Sequence, residues 1–77
     1  MSRHVVAANN VPAGRFSEVE ADSKPGALFV AEHLSRQHPG VSFGVYEVTP
    51  GEGAVIVASY LNGERRFTAR DETPQPA

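Results

Sequence analysis

Two prolines frame the segment of this chain that best suits a helix. Pro25 stands near the start of "KPGALFVAEHLSRQ", and Pro39 follows soon after its end. Proline is tolerated in a first helical turn, where its missing N–H would have no intrahelical partner, and it drives the residue before it away from α geometry. The helix therefore starts near Lys24 or Pro25, with Asp22 or Ser23 able to cap its free N–H groups. It ends near Gln37, because His38 precedes Pro39 and Gly40 can take a left-handed turn. At about 100° per residue, Ala27, Leu28, Val30, Ala31, Leu34 and Ser35 share an arc of roughly 160°, wide enough for a core face. That face is expected to pack on a sheet, with the alanines allowing close approach and Leu28 and Leu34 as the larger inserts.

Strands account for much of the remainder. "HVVAA" reads as a first strand and "NNVPAG" as a turn, since Asn tolerates positive φ, Pro fixes its own and Gly accepts almost any. "RFSEVEA" alternates imperfectly and is either a second strand or an irregular connection. "VSFGVYEV" places Val41, Phe43 and Val45 on one parity and Tyr46 and Val48 on the other. After the turn "TPGEG", "AVIVASYL" is apolar on both parities, as expected of a central strand partly covered on both faces. Asn62-Gly63 then suits a type I′ hairpin, which returns "ERRFTAR" antiparallel to it. The pattern predicts a two-layer α+β domain over residues 1–70, one helix on an antiparallel sheet of four or five strands in the order β-(β)-α-β-β-β. "DETPQPA", residues 71–77, carries two prolines and no apolar period, and is expected to be a disordered tail.

Composition limits the chemistry. A chain of 77 residues buries only about 60–65% of its unfolded surface. With no cysteine, disulfides, thiolate nucleophiles and cysteine zinc sites are all excluded, and stability must come from the core or from association with another chain. A net charge of −2 gives no general attraction to nucleic acid or anionic membrane. No apolar run reaches the length of about 20 residues that spans a bilayer. "MSRHVVAANN" is too short in its apolar part for a secretory signal, so the cytoplasm is expected.

His33 and His38 are five apart, about 140° around a helix, whereas two ligands on one face need a spacing of three or four. They read as a surface residue and a helix C-terminal residue, and neither a metal nor a cofactor is expected. The serines lie in no nucleophile-elbow context, and the glycines form no phosphate loop. A noncatalytic protein is expected, although a deep pocket gathering His4, His33 or His38 with Glu47 would reverse that.

Two surfaces remain as candidates. Phe29 falls on the helix's outer face among Glu32, His33 and Arg36, where it can anchor a protein-binding patch or stand as a singly exposed apolar residue of no consequence. In the last hairpin, Tyr60 and Phe67 mix with Arg65, Arg66 and Arg70, a composition that can stack bases and hold phosphate. The same residues also suit a terminal strand whose arginines discourage edge pairing. By parity, Phe67 shares a face with Arg65, and Arg66 with Arg70. The protein-binding reading is preferred, with an unidentified protein as partner, and nucleic acid is the alternative. Apolar residues left on the sheet face away from the helix further suggest a homodimer through the sheet.

The stretch "GALFVAEHLSRQHPGVSFGVYEV", Gly26 to Val48, joins an alanine-rich helix, a His-Pro-Gly stop and a strand carrying Phe and Val-Tyr-Glu-Val. It resembles an element that recurs in short uncharacterised phage and prophage proteins. The resemblance covers under a third of the chain and brings no catalytic residues. It implies a compact accessory protein that binds and modulates a host protein.

Overall fold

The computed structural model describes residues 3–12 and 14–69. Arg70 and the expected tail 71–77 lie outside the described residues. Along the chain run β1 (Arg3–Ala8), β2 (Val19–Ala21), α1 (Lys24–Gln37), β3 (Phe43–Thr49), β4 (Gly53–Leu61) and β5 (Glu64–Thr68). The strands form one five-stranded sheet in the order β2-β1-β3-β4-β5, antiparallel throughout, with α1 on one face. The α+β two-layer architecture read from the sequence is the one observed.

Local chemistry sets the ends of α1. Ser23 is the N-cap, in extended geometry, and its Oγ accepts from the Gly26 N–H at 3.2 Å. At the far end the His38 N–H donates to the Leu34 carbonyl at 3.0 Å, and Gly40 takes the left-handed φ of 86° that lets the chain turn into β3. The β4–β5 turn is as expected, with φ of 54° at Asn62 and 80° at Gly63, both positive as a type I′ turn requires.

The core lies between α1 and the sheet. From the sheet come Val6, Phe43, Val45, Ala58 and Tyr60, from the helix Ala27 and Ala31, and from the loop between them Val41. Ala27, Ala31 and Ser35 have no exposed surface and lie four residues apart along one line of the helix. Leu28 and Leu34, expected as the main inserts, are only half-buried on the flanks of that line. The helix sits so close to the sheet that only Cβ-sized groups fit at the centre, and Phe43, Val6 and Val45 fill the space from below.

The second strand is short. Only Val19–Ala21 pairs with β1, while Arg15–Glu18 is irregular. Phe16 nevertheless closes one end of the core, its ring edge-on to His38 at 4.9 Å and to Phe43 at 5.5 Å between centroids. β4 lies between β3 and β5 and is partly covered on both faces, as expected, only from Ile56 onward. It is second from the sheet edge, its first residues are exposed, and Val55 is 62% accessible because the helix does not reach it.

Two bulges reset the strand faces. Between β3 and β4, Val45 pairs with Ala58 but Tyr46 with Ile56, so Val57 is extra. Between β4 and β5, Ser59 pairs with Phe67 but Tyr60 with Arg65, so Arg66 is extra. The second bulge corrects the simple alternation: Arg65 and Phe67 lie on opposite faces, because one inserted residue inverts every side chain beyond it.

Polar side chains bind the end of the molecule where α1 finishes. The Asn62 Oδ1 accepts from the Gly40 N–H at 2.9 Å, and the Asn10 amide donates to the Gly40 carbonyl at 2.9 Å. Asn10 also accepts from the Ser42 N–H at 2.8 Å. The Ser35 hydroxyl donates to the Glu32 carbonyl and accepts from the Gly63 N–H, both at 2.8 Å. Gly63 is needed for a second reason: a Cβ there would come within 2.6 Å of the Arg36 side chain lying over the turn.

Candidate functional site

The spacing of α1 brings Phe29, Glu32, His33 and Arg36 onto one seam, since residues three and four apart are neighbours on a helix surface. Phe29, His33 and Arg36 are exposed, and Glu32 is half-buried. Phe29 is 70% exposed, the most exposed large hydrophobic among the described residues, so none of the described residues of the N-terminal segment buries it. Its ring lies parallel to that of His33, 7° apart in plane and 6.3 Å between centroids. Beside them, Arg36 donates to the Glu32 carboxylate at 2.7 Å. Both partners are solvent-facing, and such a pair contributes only about 0.2–0.5 kcal/mol. The Arg36 stem also rests on Gly63, which ties the patch to the β4–β5 turn. The result is an aromatic step beside a salt-bridged rim, on a helix whose other side is fixed by the core.

The described residues of the alternative surface do not share one exposed face. Tyr60 is only 4% exposed and belongs to the core, so it is no platform for a base. Its hydroxyl accepts from Arg65 Nε at 3.0 Å, and the Arg65 guanidinium lies 5.4 Å over its ring. Arg66 sits at the bulge and pairs with Glu64 at 3.4 Å. Phe67, 44% exposed, faces the other side of the sheet beside Ser59. Arg70 lies outside the described residues. An aromatic-and-arginine face would need unbroken alternation, and the extra residue at Arg66 divides it.

The histidines are similarly scattered. His4 pairs across β1 and β3 with Glu47, His33 is on the outer helix face, and His38 packs against Phe16 and Phe43 at the opposite end of the sheet from His4. Among the described residues no three His, Asp or Glu side chains converge as a metal site would require. Nor is any helix among them long and apolar enough to cross a membrane.

A shallow depression of about 310 Å³ lies on the sheet face away from α1, lined by Arg3, Val5, Ala7, Glu18, Tyr46, Val48 and Ala54. Parity alone placed Tyr46 and Val48 there. The contribution of Arg3 and Glu18 depends on how β1 and the irregular segment before β2 are brought together, which no local pattern carries. Comparison of the chain with models of protein families, with curated proteins and with solved structures finds no match.

Proposed function

We infer that this chain is a small noncatalytic protein-binding module, of the accessory or regulatory kind, that recognises its partner through the outer face of α1. The observation that carries this reading is Phe29, 70% exposed at the N-terminal end of a seam whose other members are already ordered by stacking and by the Glu32–Arg36 pair. Binding energy concentrates in aromatic and arginine side chains that enter a partner's pocket, and ordering them beforehand lowers the entropy lost on association. In the proposed contact Phe29 is the anchor, with His33 widening the aromatic surface and Arg36 and Glu32 forming the polar rim. A partner of matching chemistry offers an apolar pocket flanked by groups that engage Arg36 and Glu32. The accessory role implied by the resemblance of Gly26 to Val48 agrees with this reading.

The test pairs capture with stability. Immobilised wild-type protein and the Phe29→Ser variant are each exposed to cell lysate, and any protein retained by the first alone is purified and titrated against both. The expected result is affinity at least tenfold weaker for the variant, about 1.4 kcal/mol, with an unchanged unfolding midpoint. Equal affinity, or a variant that unfolds, contradicts the reading.

A further inference from the structure

The face of the sheet opposite α1 carries four cross-strand rows: Arg3, Val48 and Ala54; Glu20, Val5, Tyr46 and Ile56; Ala7, Gly44, Ser59 and Phe67; and Leu61 with Glu64. Its centre is apolar, and charges sit at the β1–β2 margin and, with Glu64, at the β5 margin. Its surface is also flattened by design of the chain, for Tyr46 lies along β3 over Gly44. A Cβ at Gly44 would come within 2.9 Å of the Tyr46 ring and 2.8 Å of the Asn9 amide. Among the described residues the helix covers only the other side.

We propose that this open face is the contact between two copies of the chain, stacked sheet to sheet about a twofold axis. The inference does not rest on the role given to Phe29, which lies on the opposite side of the molecule.

Three observations favour a second copy as the occupant. The face is self-complementary in charge, because Arg3 and Glu18 border the same depression. A twofold axis can bring each to the other across the contact. Arg3 is shared only loosely with Glu20, at 3.4 Å, and Glu18 makes no ion pair among the described residues. With a net charge of −2, repulsion between whole molecules is small.

The area suits a small contact. Strands about 4.8 Å apart and about 20 Å long give a five-stranded face a flat footprint of about 400 Å². Side-chain relief adds to this, toward about 600 Å² per partner, the small end of stable contacts. Two sheets pack in this way about 10 Å apart with interleaved side chains.

The sheet edges offer a poorer route to association. β2 has only three residues, and β5 is interrupted by the bulge at Arg66. Short and bulged edges with charged side chains resist strand addition, which leaves the face as the surface through which copies meet.

Sedimentation equilibrium of the wild-type protein at several hundred micromolar should give twice the monomer mass. The Val48→Asp variant, which places a carboxylate on this face beside Arg3 and away from the core, should give the monomer mass with an unchanged circular dichroism spectrum. Dilution of the wild-type protein followed by methyl NMR supplies a readout that needs no variant. Resonances of Val5, Val48 and Ile56 should move with concentration while those of Leu28 and Val30 stay fixed. A wild-type monomer at these concentrations overturns the proposal, as does a monomer carrying a bound apolar small molecule in native mass spectrometry. It is equally overturned by a dimer whose shifts map to the helix side or that survives in folded Val48→Asp.

Discussion

The two sides of α1 are made of opposite materials. Inward, Ala27, Ala31 and Ser35 have no exposed surface, and nothing larger than a hydroxymethyl group meets the sheet along that line. Outward, the largest apolar side chain of the helix, Phe29, stands 70% in water. The contrast teaches that burial here is limited by the gap between layers, not by the supply of apolar residues. The sheet fills that gap with Phe43, Val6 and Val45, so stability makes no use of the aromatic on the outer side.

Substitutions sharpen this comparison in a defined order. Phe43→Ala empties the middle of the core and is expected to cost about 3–5 kcal/mol, enough to unfold so small a domain, as denaturant titration would register. Ala31→Leu tests whether the gap is as narrow as argued: overpacking should cost about 1–3 kcal/mol, and a neutral or stabilised variant would break the contrast. Ser35→Ala removes the hydroxyl that accepts from the Gly63 N–H and should cost about 1–3 kcal/mol, with faster amide exchange at Gly63. On the outer side, Glu32→Ala breaks the surface ion pair and should change stability by only about 0.2–0.5 kcal/mol, an effect that fades as salt is added.

Much of this fold was legible from local chemistry. Ser23, Pro25, Pro39 and Gly40 delimit α1 through capping and backbone restriction, and Asn62-Gly63 fixes the last hairpin through two positive φ angles. These are short-range effects, settled within four residues of chain. The bulges at Val57 and Arg66 arise from pairing between strands, and no single strand announces them, which is why Arg65 and Phe67 were read onto one face. Tyr60 was misplaced for a related reason: a tyrosine beside arginines reads as surface, yet its hydroxyl is satisfied by Arg65 while its ring enters the core. Helical periodicity gives Leu28 and Leu34 too large a part because it locates a face without stating how near the sheet lies. Of the candidate site, the seam of Phe29, Glu32, His33 and Arg36 follows from helix spacing. The stacking of Phe29 on His33 and the seat of Arg36 on Gly63 needed side-chain geometry.

The most direct test of the account is the unfolding midpoint of Phe29→Ser measured beside its affinity for the captured partner. An exposed substitution of this kind should leave stability within about 0.5 kcal/mol of wild type while binding falls at least tenfold. A midpoint that drops by several degrees, or binding that stays whole, would mean that the outer face of α1 is not where this protein meets its partner.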